Sequence, residues 1–218
     1  MMSRLHTIAV PVVDLALVVA IDVSGSVSQD RMMLQRQGTI GALRDPRLIA
    51  AIRAGPSRRI ALTFVEWSEA RRQTQIVDWQ MVDGPGAAER FAVAIETAPH
   101  SPVGWTSISA AIDFAARLFT TSGFAPVRRV IDISGDGANN DGRDVMAARD
   151  DAVAAGIVIN GLPILEVEPT LDAYFRQQVI GGPGAFVMVA RSRTDFAAAM
   201  LRKLLTEIAG LGHAGSAV

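Results

Sequence analysis

Leu15-Ala16-Leu17-Val18-Val19-Ala20-Ile21-Asp22-Val23-Ser24-Gly25-Ser26 is the stretch on which the reading of this chain turns. Its first seven residues are apolar without polar alternation. Such a run suits a strand covered on both faces, as in a parallel sheet flanked by helices. The run stops at Asp22, and a Ser-Gly-Ser turn follows. On the far side of that turn a helical stretch is expected from about Ser28 to Leu43, and a second from Pro46 to Arg53. Arg59 to Trp67 reads as the second strand. Arg72 to Val82 alternates and forms a hairpin with it, which makes one edge strand antiparallel.

The clearest helix begins at Ser107. Ile108, Ala111, Ile112, Ala115, Leu118 and Phe119 form an apolar stripe at helical period, and Thr106 or Ser107 caps it. Further strands are expected at Val127 to Ser134, Ile157 to Ile164 and Gly184 to Ala190. Between and after them lie helices at Asp141 to Ala155, Leu171 to Val179 and Thr194 to Ala209, with Phe196, Met200, Leu204 and Leu205 turned inward. Strand–helix alternation throughout implies an α/β, doubly wound, Rossmann-like three-layer sandwich. The expected sheet has six strands, five parallel and one antiparallel at an edge. The Leu15 strand is central, between those from Arg59 and Val127. Residues 1–13 read as an N-terminal extension, 14–209 as one domain, and 210–218 as a flexible tail.

Composition narrows the function classes. Twenty-one basic and 22 acidic side chains leave a formal charge of −1, which removes the broad electrostatic case for nucleic acid. Zero cysteines exclude a thiolate zinc site, an iron–sulfur cluster and a cysteine nucleophile. His6, His100 and His213 are too scattered for a histidine-based metal site or a Ser-His-Asp triad. The mean hydropathy of +0.28 is high. Yet the best spanning candidate, Ile8 to Ile21, falls short of the roughly 20 apolar residues a membrane helix needs and carries Asp14. No membrane span is expected. Arg4 precedes no small-residue cleavage site, so the chain as given reads as cytoplasmic, with export open if it is a mature form.

In a doubly wound sheet, loops at the carboxyl ends of strands carry the sites. Three such loops here are rich in small oxygen-bearing side chains: Asp22 to Ser26, Gly104-Trp105-Thr106-Ser107, and Gly135-Asp136-Gly137. Asp22, Ser24 and Ser26, spaced by two, can converge on one point in an extended turn. With Thr106 and Asp136 they make two carboxylates and three hydroxyls, without nitrogen or sulfur. That donor set suits a hard cation, Mg²⁺ first, then Mn²⁺ or Ca²⁺. Hydroxyls neutralise the ion incompletely, so an external carboxylate is attracted to it.

The order Asp22-x-Ser24-x-Ser26, Thr106 at a helix start and Asp136-Gly137 after a strand resembles the metal-ion-dependent adhesion site of von Willebrand factor A domains. The resemblance spans about Leu15 to Ala209. It extends to Ile131-Asp132-Ile133-Ser134-Gly135-Asp136-Gly137 and Ile159-Asn160-Gly161-Leu162-Pro163-Ile164, which look like an uncharacterised bacterial branch. The resemblance implies that both serines and the threonine bind the metal directly or through water and that the two aspartates complete the shell. It also implies that an acidic residue of a partner protein takes the open position. The function expected is therefore metal-dependent protein binding without catalysis.

A phosphatase of the haloacid-dehalogenase type is the main alternative. Gly135-Asp136-Gly137-Ala138-Asn139-Asn140-Asp141 resembles its Mg²⁺ motif. Against it, the second acid two residues after the nucleophile is here Ser24, and Lys203, the single lysine, follows the motif instead of preceding it. The first turn also lacks the glycine pattern of a dinucleotide site. A metal-free interaction module is a third reading. Asn139, Asn140 and Asp141 read as turn and cap residues, and Met32, Met33 and Met200 as core filler. Asp132, inside a strand, needs an arginine or a hydrogen-bond partner. Glu66-Trp67 either lines the site or occupies its rim.

Overall fold

The computed structural model describes residues 10–24, 29–99 and 104–210, without the side chains of 29–32 and 193. A five-stranded sheet has the order β3-β2-β1-β4-β5. Its strands are β1 (Val12–Asp22), β2 (Ile60–Trp67), β3 (Gln73–Val82), β4 (Ala125–Gly135) and β5 (Val158–Pro163). β1 lies between β2 and β4, parallel to both, and only β3 runs antiparallel. The chain leaves β1 to build one half of the sheet, then returns across it to build the other. The carboxyl ends of β1 and β4 therefore flank the point where strand order reverses, the usual place for a site in such sheets.

The expected sixth strand is not a strand. The segment after Gly184 does lie along β5: Gly161 N donates to Phe186 O, Met188 N to Gly161 O, Ala190 N to Pro163 O and Leu165 N to Ala190 O. The parallel pairings Gly161 with Val187 and Ile164 with Ala190 share one register. One link of that ladder is missing, where the amide of residue 163 would donate to Met188. Proline has no such amide, so the ladder breaks into two separate bridges.

Helices cover both faces. α1 (Gln29–Arg44), α2 (Pro46–Ala54), α3 (Pro85–Thr97) and α7 (Arg193–Ala209) pack on one side. There Leu15, Leu17, Val19 and Ile21 of β1 meet Phe91, Phe196, Met200 and Leu204. On the other side, Ala16, Val18 and Ala20 meet α4 (Ile108–Leu118), α5 (Val145–Ala154) and the short α6 (Leu171–Tyr174), which continues as a wider turn through Phe175–Val179. α3 was not anticipated, although Pro85 at its first turn and Ala88, Phe91, Ala92 and Ile95 on its buried face are ordinary helix signals. α5 starts later than expected because Asp144, not Asp141, caps it through the Ala147 amide, leaving residues 136–144 as loop. Met200 is core, whereas Met33 is exposed and Met32 lies outside the described side chains. No described helix is long and apolar enough to cross a membrane.

The partner of Asp132 is a lysine rather than an arginine. Lys203 Nζ on α7 sits 2.5 Å from Asp132 Oδ1 and donates to Glu207 Oε1 one turn on, at 2.7 Å. Asn160 of β5 donates to the same Glu207 oxygen. All four side chains are buried. Desolvation pushes the Asp132 carboxyl up to about 7; the Lys203 charge opposes the rise and the Glu207 charge adds to it.

Candidate metal centre

The site is built from three loop starts at the carboxyl ends of β1 and β4 and the amino end of α4. Asp22 closes β1 and is fully buried. Its Oδ1 accepts the Ser24 amide at 2.7 Å, a tight turn that brings the Ser24 side chain back over the strand end. The Thr106 hydroxyl donates to Ser24 Oγ at 3.1 Å. Asp136, on the loop after β4, is 4% exposed and lies close enough to Asp22 for their charges to repel. Asp22, Ser24, Thr106 and Asp136 are thus brought together from positions up to 114 residues apart. Ser26 lies outside the described residues, as do His6, His100 and His213.

Close packing makes the convergence possible. A Cβ at Gly135 would sit 3.0 Å from Asp22 Oδ2 and 3.4 Å from the Trp67 ring, so only glycine lets β4 approach the β1 carboxylate. Trp67 is completely buried beneath the site, and Glu66 is buried in an ion pair with Arg36 at 2.6 Å. Neither occupies the rim. Arg36 also donates to the Ala98 and Pro99 carbonyls and so ties α1, β2 and the end of α3 together. Trp105, beside Thr106, is 65% exposed.

The helix cap resolves in a useful way. Ser107, not Thr106, accepts the Ala110 amide, which leaves the Thr106 hydroxyl directed to Ser24. Thr106 is instead clamped by the loop after β4. Asn140 Oδ1 accepts the Thr106 amide, and the amides of Asn140 and Asp141 both donate to the Thr106 carbonyl. Asn139 Oδ1 takes the Ser109 amide and Asp141 Oδ2 the Ala70 amide. Gly142, at φ +82°, closes this loop where a Cβ would fall 2.6 Å from Ser107 Oγ. Gln35 of α1 completes the framework: it donates to the Asp22 carbonyl at 3.1 Å and receives the Ser134 hydroxyl at 3.4 Å. The turn residues of the sequence are therefore cross-braces. Their signal was a run of short amide and carboxyl side chains facing a loop with open backbone groups.

Electrostatics mark the centre as unfinished. Asp22 Oδ2 is buried and accepts no well-formed hydrogen bond. Desolvation raises the Asp22 carboxyl to about 7; hydrogen bonds from Ser24 and from the Asp136 backbone oppose the rise, and the Asp136 charge adds to it. A fully buried carboxylate with one oxygen lacking a well-formed hydrogen bond, beside a second carboxylate, is costly unless a cation accompanies it. The neighbouring donors are all oxygens, which fits a hard divalent ion. Among the described residues no three His, Cys, Asp or Glu side chains gather, so such an ion would rely on hydroxyls as well.

Among solved structures, the chain is similar to proximal thread matrix protein 1 of the mussel byssus, at 15% identity and TM-score 0.61, covering 92% of this chain and 48% of that one. One form of that protein is described as having a zinc-occupied metal-ion-dependent adhesion site motif. The pilus adhesin SpaC of Lactobacillus rhamnosus GG aligns at 13% identity and TM-score 0.64, over 90% of this chain and 30% of that one. BatB of Bacteroides thetaiotaomicron, a conserved hypothetical protein, aligns at 16% identity and TM-score 0.56, over 90% and 99%. The chain thus spans less than half the length of the first two. Together with a von Willebrand factor type A protein from Catenulispora acidiphila, these neighbours give this chain the von Willebrand factor A-type fold. No curated protein matches the sequence. A family described as "Protein of unknown function (DUF1194)" matches residues 12–212.

Proposed function

The chain belongs to the DUF1194 family, and from the site this member carries we propose that it is a metal-dependent protein-binding domain. Asp22, Ser24, Ser26, Thr106 and Asp136 would hold one divalent cation, Mg²⁺ in preference to Mn²⁺ or Ca²⁺. The observation that carries the reading is the buried, unsatisfied Asp22 Oδ2 next to Asp136. The fold shared with an adhesin and with a matrix protein that has a metal-occupied adhesion motif supports it.

The bound ion would supply one open coordination position of positive charge. Asp22 and Asp136 provide the negative charge, Ser24 and Thr106 orient neutral oxygens, and Trp105 offers exposed apolar surface beside them. An acidic residue of a partner protein fits that combination. Among the described residues the site presents no histidine or lysine to act as general base. Ser24 stands where a phosphatase has its general acid, and Lys203 is buried against Asp132 and Glu207. The deciding experiment measures binding of glutamate-bearing peptides in Mg²⁺ and in EDTA. Retention that needs both Mg²⁺ and Asp22 is expected. Mg²⁺-dependent hydrolysis of a phosphomonoester, lost on Asp22→Asn, would overturn the reading.

Asn140→Ala removes the acceptor for the Thr106 amide without touching a proposed ligand. Residues that orient ligands typically change metal affinity by about 10–100-fold when lost. A weakening of about tenfold in Mg²⁺ affinity is expected by calorimetry, with the fold retained. An unchanged affinity would show that Thr106 is not held by this clamp.

The raised Asp22 carboxyl also predicts a pH dependence. In metal-free protein the folded state keeps this proton up to about pH 7, whereas the unfolded chain releases it near 3.8. The fold binds more protons between those values, so stability falls as pH rises through them. Asp132, raised to about 7, contributes a slope of the same sign. With Asp22 ionised against a bound cation its share of the slope disappears. Denaturant titrations should therefore show a steeper decline in EDTA than in Mg²⁺, and equal slopes would count against the site.

A further inference from the structure

At the opposite end of the sheet, eight residues or about 26 Å along β1 from Asp22, lies an open cleft of about 380 Å³. It is lined by Arg53, Ser57, Arg58, Arg59 and Asp83. Arg53 Nε donates to the Asp83 carbonyl and Arg58 Nε to the Arg53 carbonyl, each at 3.3 Å. Arg59 Nε is buried and donates to nothing. Among the described residues none of the three guanidinium groups is ion-paired, and the single acidic side chain in the lining, Asp83, pairs with none of them. Elsewhere on this surface arginines do find carboxylates, as Arg44 finds Glu89 and Arg143 finds Asp113.

The backbone here is held at a cost. Arg58 has φ +59°, the one described non-glycine residue in the left-handed region. A side chain there costs on the order of 1 kcal/mol, which Asn or Gly would reduce. The turn is fixed from below by Asp14, which is buried and whose carboxylate accepts the amides of Ser57 at 2.8 Å and Arg58 at 3.1 Å. The strained turn sets the Arg58 side chain beside Arg53 and Arg59 instead of relaxing it away. Strain that is kept in this way and serves to gather like charges points to a ligand of opposite charge.

We propose that this cleft binds a phosphate group, as the free ion or as the end of a phosphomonoester. Three guanidinium groups outnumber the Asp83 carboxylate in the lining and the Asp14 carboxylate beneath the turn, which leaves a positive excess for an anion. Arginine forks give paired, directed hydrogen bonds to phosphate oxygens. The cleft volume exceeds that of a phosphate ion and falls in the range of small-molecule sites, leaving room for a short organic remainder. Nothing in the site depends on the metal centre.

The test is titration calorimetry of the full chain in EDTA at fixed ionic strength, with inorganic phosphate, glycerol phosphate and acetate as probes. Phosphate should bind at least tenfold more tightly than acetate. Arg59→Gln and Arg58→Asn should each weaken it at least tenfold. Asparagine tolerates the left-handed backbone, so Arg58→Asn keeps the turn, and a thermal midpoint no lower than that of the wild type confirms the fold of both. Asp22→Ala should bind phosphate like the wild type. Binding of glycerol phosphate as well assigns the site to a phosphomonoester, and binding of inorganic phosphate alone assigns it to the free ion. Phosphate affinity no greater than that of acetate, or full affinity in either arginine variant, would overturn the proposal.

Discussion

Mg²⁺ at about a hundred times its dissociation constant is expected to raise the unfolding free energy by roughly 2.7 kcal/mol, and Asp22→Ala is expected to abolish that gain. For a chain of this length the gain corresponds to about 5–10 °C in thermal midpoint. The expectation rests on where the Asp22 charge sits. Burial leaves one carboxylate oxygen without a well-formed hydrogen bond and sets the group against the Asp136 charge. An ion that binds only the assembled loops therefore stabilises the fold by mass action. The same burial predicts the sign of the metal-free comparison. At pH 8 Asp22→Ala should be at least as stable as the wild type in EDTA, because a desolvated negative charge has been removed. Asp22→Asn should behave alike while retaining an acceptor for the Ser24 amide. Equal Mg²⁺ stabilisation of wild type and Asp22→Ala in a calorimetric scan would remove Asp22 from the site.

Lys203→Met should produce the largest loss of stability outside the metal centre, about 3–5 kcal/mol at pH 8. Lys203 bridges Asp132 and Glu207, with 0% of its side chain and of theirs exposed, whereas the Arg128 charge acts only on Glu207. Methionine matches its length but leaves two desolvated carboxylates side by side. One of them must then take a proton to remain buried. The loss should accordingly be smaller at pH 5 than at pH 8, and Asp132→Asn should recover much of it in the double variant. Urea denaturation at the two pH values measures all three quantities. A Lys203→Met protein within 1 kcal/mol of the wild type at pH 8 would mean that the ion pair is not maintained in solution.

Much of this architecture could be read from local pattern. The unbroken run Leu15 to Ile21 marked a central strand because both of its faces meet helices, and the α4 stripe marked a helix because its apolar positions share one face. The Asp22, Ser24, Thr106 and Asp136 convergence was legible because each residue lies within two positions of a strand end or a helix start, where the fold leaves few choices of direction. What pattern did not show depends on distant partners. Asn140 looked like a turn residue because its acceptor role is fulfilled 34 positions away, at Thr106. The sequence reading of Asp132 offers an arginine or a hydrogen-bond partner and does not point to Lys203, which lies 71 positions away. Helical geometry instead places Lys203 and Glu207, four apart, on the one face that reaches β4. The sixth strand failed on a single missing amide at Pro163, a defect of its neighbour and not of its own sequence.

The burial of the single lysine has a practical consequence. In the described fold no lysine amine reaches solvent, since Lys203 is the only one and is 0% exposed. Acylating reagents should therefore reach Lys203 only when α7 lifts from the sheet. The extent of Lys203 acylation over time, read by mass spectrometry, becomes a site-specific clock for opening of this layer. Amine-directed dye coupling to the folded domain should accordingly leave the metal centre and the arginine cleft both unmodified.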